Sequence, residues 1–401
     1  MRRRTKSAAH AALHVLFGSR LNLLLPCGPA ALLAARLGIG DEISFLLALA
    51  ALCPLAERIG YATEQAALHT SSQAGALLNA TFGNATELIV SLCAIREGLL
   101  RVVQLSLLGS VLSNLLLVLG CAFFFGGVRH ATQRYDQKSA EAHAAVLVLG
   151  AVTMVVPDVL GEGETKSSRH EDTESDVLSL SRWVSVVLLF SYASLIAFEL
   201  GISPAPPEIS PPLSPSPEEE EVEEEEEEEL SFRQSTVALA LLCAATAGLS
   251  EVVVGSIQGA AAGAKVPLAF VSTILLPIVG NAAEHASAAL DAVALAARNK
   301  PDLAIGVAVG SATQITLLGF PASVLAAWAY GEPLSLDMLP FETACLVLTI
   351  LGVATVLPSG RSNWLKGLTL ISLYVVIALA FLFHDSSETR APAAAKHKRL
   401  G

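Results

Sequence analysis

Residues 77–92 read LLNATFGNATELIVSL, and residues 275–288 read LLPIVGNAAEHASA. Both segments place the pattern Gly-Asn-x-x-Glu inside an apolar stretch, once in each half of the chain. The Asn amide and the Glu carboxylate are three residues apart and therefore share one face of a helix. Because a carboxylate within an apolar, membrane-length segment is costly, we expect Glu87 and Glu284 to be functional.

The composition around these segments predicts a polytopic membrane protein. The chain has 401 residues, of which 53% are hydrophobic and only 15% are charged, whereas about a quarter of a typical soluble domain is charged. Residues 218–229 contain eleven glutamates and account for most of the net charge of −12. These values exclude a soluble enzyme, a nucleic-acid-binding protein and a disordered chain. The expected partner is therefore the lipid bilayer, and no nucleic acid is expected.

Eleven stretches are long and apolar enough to cross a bilayer, which takes about 20 such residues. The predicted fold is all-α, with eleven transmembrane helices: one leading helix and two five-helix repeats. The predicted spans are residues 20–37, 42–66, 73–95, 101–126, 141–157, 182–200, 234–257, 267–297, 302–330, 340–357 and 363–384.

A polar segment divides the predicted repeats. Residues 201–232 combine a Pro/Ser-rich stretch with the glutamate run, which cannot be buried, so they are predicted to form an exposed linker. Lys and Arg in the loops number thirteen on the N-terminal side and seven on the other, which predicts a cytosolic N-terminus and linker. The other predicted regions are two tails, the leading helix and the two repeats, at residues 1–19, 385–401, 20–37, 42–200 and 233–384.

A second pair of motifs supports an internal duplication. Residues 109–114 read GSVLSN, and residues 310–314 read GSATQ, each following a Gly-Asn-x-x-Glu motif. The two halves therefore look like copies of one five-helix unit. Because five is odd, the second copy must be inverted in the membrane relative to the first, which is the inverted-repeat plan of secondary transporters.

The duplicated motifs predict a site for a hard cation. The glycine permits a local break in the helix, which frees backbone carbonyls that need a partner inside the membrane. Carboxylates, amide oxygens and carbonyls from two opposed helices form an all-oxygen environment, which Ca²⁺ prefers. A carboxylate withdrawn from water takes up a proton when the cation is absent. One site can thus hold either a divalent cation or protons.

Four further ionisable residues have two interpretations each. Glu64 and Glu251, one in each half, are either hydrated helix ends or parts of an ion access path. His285 adjoins Glu284, and we favour a proton-sensitive neighbour over a hydrogen-bonded core histidine. Asp291 is nearer the end of its span, where a side chain reaching the membrane surface is the favoured interpretation.

Four segments resemble the cation/proton exchanger (CAX) family of vacuolar Ca²⁺/H⁺ antiporters, which belongs to the wider Ca²⁺/cation antiporter superfamily. They are residues 77–92, 101–127, 275–288 and 302–314. The resemblance extends from about Leu21 to Phe383 and includes the acidic linker. It implies an antiporter in a vacuolar or other acidic-organelle membrane that exchanges cytosolic Ca²⁺ for protons by alternating access. It implies no cofactor, since Ca²⁺ and H⁺ are transported ions.

The same resemblance implies a set of site residues. Glu87 and Glu284 would bind Ca²⁺ and, with His285, couple it to protons. The other implied metal-site residues are Asn84, Asn281, Ser110, Ser113, Ser311 and Gln314. This chain has Gly255 and Gln258 where family members often carry acids, so its preference between Ca²⁺ and Mn²⁺ stays open.

There are three alternatives to a proton-coupled antiporter, of which the first is also a transporter and the other two belong to other functional classes. A Na⁺-coupled exchanger is the nearest, and proton dependence of the flux would separate a passive cation channel from an antiporter. A metallohydrolase is disfavoured because Asn281 stands where an H-x-x-E-H zinc motif has its first histidine. The sequence leaves the oligomeric state open, with a homo-oligomer among the alternatives.

Overall fold

The computed structural model describes residues 18–164, 170–200, 229–281 and 301–383, together with Val15. Its helices, labelled α1 to α12 in chain order, are Cys27–Leu37, Asp41–Ala67, Ser72–Phe82, Ala85–Arg96, Leu100–Arg129, Gln137–Glu164, His170–Glu199, Phe232–Ala264, Leu268–Gly280, 301–330, Pro340–Val356 and Trp364–Phe383. Two short strands, β1 (Gln133–Arg134) and β2 (Arg361–Ser362), pair antiparallel.

Eight helices within the described ranges are long and apolar enough to cross a membrane, namely α2, α5, α6, α7, α8, α10, α11 and α12. Each matches one predicted span. Large apolar side chains point outward from them, with Phe190 73% exposed and Phe383 80% exposed, as expected for helices that face lipid tails. The predicted class of helical membrane protein is confirmed, with the two-residue strands as a small exception. The predicted count of eleven spanning helices is not confirmed.

The first predicted span, residues 20–37, does not form one long helix. A 3₁₀ turn at Arg20–Leu24 precedes α1, which has 11 residues. At 1.5 Å per residue, a helix of this length covers only about half of a hydrocarbon core of about 30 Å. Gly38 ends α1 in the left-handed conformation, with φ of 63°.

The third predicted span is broken at the motif itself. Helix α3 ends at Phe82 and α4 begins at Ala85, and Asn84 between them has a non-helical backbone with φ of −113° and ψ of 34°. In the other half, α9 ends at Gly280, and Asn281 has φ of −91° and ψ of 14°. The first Gly-Asn pair therefore interrupts a helix, and a helix ends at the second. The rest of the eighth predicted span, including Glu284, His285 and Asp291, lies outside the described residues.

Helices α2 and α8 pack against each other as an antiparallel pair. Asp41 at the start of α2 lies against Gly259 near the end of α8, and a Cβ at Gly28 would touch both Ala51 and Leu249. An antiparallel crossing of the first long helix of each half agrees with an inverted relation between the halves.

The end of the linker, just before the second half, is hydrogen-bonded to the end of α2. The Tyr61 hydroxyl donates to Glu229 at 2.7 Å, and the Gln65 side-chain oxygen accepts from the backbone N–H groups of Glu229 and Leu230. The His69 Nε2 lies 2.6 Å from the Leu230 carbonyl oxygen. The exit of the linker and the end of α2 are therefore at the same side of the molecule, whereas residues 201–228 lie outside the described ranges.

Helix α5 crosses α9 at very close range. A Cβ built on Gly109 of α5 would overlap the Thr273 carbonyl oxygen and the Pro277 ring of α9. Only glycine lets the two backbones approach this closely, as at many helix crossings in membranes. Because this crossing holds α9 beside the first Gly-Asn-x-x-Glu motif, it positions the site described below.

Replacing Gly109 tests this crossing. We expect Gly109→Ala to destabilise the protein by about 1–3 kcal/mol, the usual cost of overpacking. Gly255→Ala on α8 is the matched control, because a Cβ there meets nothing within 4 Å. The measurement is thermal unfolding of the two purified variants in detergent. Equal midpoints for Gly109→Ala and Gly255→Ala would contradict the close crossing.

Candidate ion-binding site

At the break between α3 and α4, the side chain of Asn84 enters a buried hydrogen-bond network with α10. The Asn84 Nδ2 donates to the Gln314 Oε1 at 2.8 Å, and the Ser311 Oγ donates to the Asn84 Oδ1 at 2.9 Å. Asn114 of α5 joins them, since its Nδ2 donates to the Ser311 Oγ at 3.0 Å. All four side chains are buried. The first motif of one half thus pairs with the second motif of the other half.

The corresponding residue of the other half makes the reciprocal contact. The Asn281 Nδ2, at the end of α9, donates to the Ser113 Oγ of α5 at 3.2 Å. Ser113 begins a π-helical turn, Ser113–Val118, and a matching π turn, Ile315–Gly319, follows the second motif of α10. Such turns are frequent at functional sites because they displace the backbone of a helix locally.

Two amide oxygens of this network are free acceptors. Within the described part of the chain, neither the Asn114 Oδ1 nor the Asn281 Oδ1 has a hydrogen-bond partner, although both are buried. A buried polar atom without a partner is costly and calls for a ligand or a water molecule. Both oxygens are of the type that a hard cation binds.

Glu87 lies between a narrow pocket and a wide cavity. Its Oε1 approaches Gly280 of the opposed helix, where a Cβ would lie 3.6 Å away. Ser106 and Ser110 of α5 line the same pocket. The apolar residues that line this pocket are Leu52, Val90, Leu276 and Pro277. Leu52 and Val90 lie away from the cavity along α2 and α4, so the described residues on this side of Glu87 are largely apolar.

The cavity, of about 1230 Å³, opens on the other side of Glu87. It is bounded by the parts of α2 and α7 that approach the linker side and by the first halves of α6 and α10. Its floor includes Asn84, Glu87 and Gln314, and its exposed rim includes Glu64 and Glu199. Water and ions can therefore reach Glu87 from the side at which the linker joins α8.

The charges that the cavity wall can carry are mostly negative. Glu57, Glu64, Glu87 and Glu199 line it, together with Arg20 and Arg58. Arg58 is neutralised locally, because it lies 3.0 Å from Glu57 and stacks over the Tyr61 ring at 4.9 Å. A wall of this sign concentrates cations. Among the described residues, no group of three or more His, Cys, Asp or Glu side chains could hold a metal ion, so neutral oxygens make up most of the donors near Glu87.

The structure brings together most of the residues that the sequence singled out. Asn84, Asn281, Ser110, Ser113, Ser311 and Gln314 surround the two helix breaks together with Glu87. Glu284 and His285 lie outside the described residues, so their place in the site stays a prediction. Glu64 lines the cavity, whereas Glu251 does not line it and lies 3.6 Å from Arg96, with both side chains more than half exposed.

Sequence reasoning missed three residues near the site. Asn114 is part of the GSVLSN motif, yet only the two serines of that motif were assigned to the site. His143 and Glu199 lie in the cavity wall, and their side chains contact each other at 3.0 Å. The available signal was an ionisable residue inside each apolar helix, which by itself favours a functional role.

The sequence matches a known family over most of its length. The family described as "Sodium/calcium exchanger protein" matches residues 43–201 and 234–383, which cover both halves and exclude the linker. Vacuolar cation/proton exchanger 3 of Oryza sativa subsp. japonica is 43% identical over 96% of this chain and 90% of its own length. Vacuolar cation/proton exchanger 2 of Arabidopsis thaliana is 44% identical over 92% of this chain and 82% of its own.

Solved structures share the fold. Native YfkE superposes with a TM-score of 0.73 at 30% identity, over 90% of this chain and 99% of that one. A selenium-substituted crystal structure, described as that of a Ca²⁺/H⁺ antiporter protein, YfkE, gives a TM-score of 0.72. The crystal structure of an H⁺/Ca²⁺ exchanger CAX has a TM-score of 0.64 at 12% identity, so it shows the fold alone. The chain belongs to the sodium/calcium exchanger family of membrane transporters and, within it, to the cation/proton exchangers.

Proposed function

We propose that this protein is a secondary antiporter that exchanges Ca²⁺ for protons at one site around Glu87. The relatives are vacuolar cation/proton exchangers by name, and a structural relative at 30% identity is described as a Ca²⁺/H⁺ antiporter. The observation that carries the proposal is the cavity that ends at Glu87 and at a cluster of neutral oxygens. Oxygen donors with a single described carboxylate suit a hard divalent cation, with Glu284 supplying the second charge.

The same site would bind the counter-transported protons. A divalent ion balances the two carboxylates, and protons on both carboxylates balance them equally. Either occupied state leaves a site of low net charge, whereas the empty, ionised site would be costly to enclose away from water. The exchange of one cargo for the other therefore needs no cofactor.

Alternating access would complete the cycle. The cavity is open on the linker side, and the described residues that line the other side of Glu87 are largely apolar. With an inverted second half, the opposite opening would be formed by the corresponding helices of that half. The loop charges favour a cytosolic linker. In the membrane of a vacuole or a similar acidic compartment, the open cavity would therefore face the cytosol. Ca²⁺ would then enter from the cytosol and protons from the compartment.

Ion flux in proteoliposomes tests the proposed function. With an acidic interior, the purified protein is expected to take up Ca²⁺ and to release internal protons, and collapse of the pH gradient should stop net uptake. A difference of two pH units provides about 2.7 kcal/mol per proton, from about 1.36 kcal/mol per unit. Parallel assays with Mn²⁺ measure the cation preference, which Gly255 and Gln258 leave open.

The same assay separates the alternatives. Uptake that follows an imposed Na⁺ gradient and ignores the pH gradient would identify a Na⁺-coupled exchanger and overturn the proposal. Flux that runs down the Ca²⁺ gradient without moving protons would identify a passive channel. Empty liposomes and liposomes with Glu87→Gln protein are the controls.

A further inference from the structure

The wall of the cavity contains a pair of ionisable residues outside the site around Glu87. His143 of α6 lies between α7 and α10. Its Nε2 is 3.0 Å from the Glu199 Oε1 of α7, and its Nδ1 is 3.3 Å from the Thr313 Oγ1 of α10. The His143 side chain is only 12% exposed, whereas Glu199 is 41% exposed at the rim. The imidazole ring thus joins three helices.

The hydrogen-bond pattern determines where protons must be. The Thr313 Oγ1 donates its one proton to the Val309 carbonyl oxygen at 2.7 Å, so it can only accept from His143. The Nδ1 of His143 therefore carries a proton. An ionised carboxylate is also only an acceptor. The 3.0 Å contact between Nε2 and Oε1 therefore requires one more proton, on His143 or on Glu199.

Several other ionisable groups lie on the helices and the cavity wall around the pair. Helix α10 presents no charged side chain between Ile305 and Tyr330, and Tyr192 is the nearby titratable group of α7. On α6, Glu141 is exposed and accepts from Gln137. The ionisable groups that line the remainder of the cavity are Arg20, Glu57, Arg58, Tyr61, Glu64 and Glu87, and on α11 the titratable residues are Glu342 and Cys345.

We propose that His143 and Glu199 form a second proton-binding site, which holds one shared proton when the cavity is open and so fastens α6 and α10 to α7. The proposal rests on the proposed function, because it concerns the pH response of the exchanger. Thr313 immediately precedes Gln314, which accepts the hydrogen bond of Asn84. The pair thereby supports the helix that holds the neutral donors of the ion site. His143 is a positioning residue in this role.

Loss of the shared proton would make the contact between His143 and Glu199 repulsive instead of attractive. With Nδ1 still bonded to Thr313, the Nε2 lone pair and the Glu199 carboxylate would face each other as two acceptors. The link between α6 and α7 would then be lost, and the open-cavity conformation would become less favourable. A rise in pH on the cavity side should therefore oppose cavity opening, independently of its effect on Glu87.

The test is the pH profile of three variants in proteoliposomes of one orientation. Glu199→Gln provides a permanent N–H donor to Nε2 and imitates the protonated pair. His143→Asn is too short to join both partners and imitates the broken pair. Glu141→Gln on α6 is the matched control. Initial Ca²⁺ uptake at subsaturating Ca²⁺ is measured from about pH 5 to about pH 8 on the cavity side, the range in which histidine changes charge.

The expected result is a pH-dependent ratio of each variant's rate to the wild-type rate. Both ratios should rise with pH, by up to about tenfold per pH unit, because one proton is lost only from the wild-type pair. Glu199→Gln should match the wild type at low pH, and His143→Asn should match it at high pH. Glu141→Gln should give a constant ratio.

Two outcomes would contradict different statements. If the wild type exchanges Ca²⁺ for protons but the ratios for Glu199→Gln and His143→Asn are constant with pH, the shared proton is absent and this inference is wrong. If the wild type shows no proton-coupled Ca²⁺ uptake at all, the proposed function is wrong instead.

Discussion

Glu87→Gln is expected to lower proton-driven Ca²⁺ uptake by at least about a hundredfold. Glutamine keeps the shape of the side chain and removes its charge, so one of the two charges that balance Ca²⁺ is lost. Loss of one partner from a buried charge pair costs about 3–5 kcal/mol, and about 1.4 kcal/mol corresponds to a factor of ten. Glu284→Gln is expected to have the same effect if the second motif completes the site. The measurement is initial uptake by equal amounts of reconstituted protein.

Two controls separate loss of the site from loss of the fold. Glu141→Gln removes an exposed carboxylate of α6 and should transport normally. Glu87→Asp keeps the charge on a shorter side chain, so it should keep more activity than Glu87→Gln. All variants should elute as single species from size-exclusion chromatography and unfold at similar temperatures. Near-normal uptake by a folded Glu87→Gln protein would remove Glu87 from the site.

Ca²⁺ affinity is expected to weaken by about ten to a hundredfold for each unit of falling pH. A carboxylate that is withdrawn from water and lacks its cation takes up a proton. Each proton that Ca²⁺ must displace changes the apparent affinity by up to about tenfold per pH unit, and two carboxylates can contribute two protons. The sign follows from competition: lower pH fills the site with protons, and higher pH leaves it free for Ca²⁺.

Calorimetry in detergent measures both sides of this competition. Titrations with Ca²⁺ in buffers of different ionisation enthalpy give the affinity and the number of protons released per Ca²⁺. Glu87→Gln serves as the control because one of the competing protons cannot bind there. An affinity that stays constant between about pH 6 and about pH 8, with no proton release, would exclude a shared site.

In the proposed cycle, the exchange of cargo would have a direction because the two sides of the membrane differ in pH. At the acidic side, protons would displace Ca²⁺ from Glu87, and near neutral pH Ca²⁺ would displace protons. The wide cavity exposes Glu87 and its neighbouring donors on the linker side. The direction of net transport then follows from the pH on each side, since the site itself favours neither direction.

The sequence predicted the long helices well because each is a separate apolar run with polar ends. Predicted spans such as 340–357 and 363–384 agree closely with Pro340–Val356 and Trp364–Phe383. In a membrane, a helix satisfies its own backbone, so its existence depends on local composition. The first predicted span does not follow this rule. Its apolar composition is sufficient for a spanning helix, but composition does not show that Pro26 and Gly38 limit α1 to 11 residues.

The composition of the site could also be predicted from the sequence. A repeated Gly-Asn-x-x-Glu pattern in apolar surroundings singles out Asn84, Glu87 and Asn281, because such polar groups are rare and costly inside a membrane. The same pattern indicated that the helices break there, and Asn84 and Asn281 both have non-helical backbones. Duplication, cost of burial and local geometry are all properties of short segments.

The pairing of these residues was decided by the tertiary structure alone. Asn84 bonds to Gln314 across 230 positions, and Asn281 bonds to Ser113 across 168. Gly109 permits the crossing of α5 and α9 that makes the second contact. The side on which the cavity opens and the contact of His143 with Glu199 likewise depend on how separate helices pack. Periodicity and composition specify what each helix contains, whereas distances between helices depend on the packing of the whole bundle, which no single segment encodes.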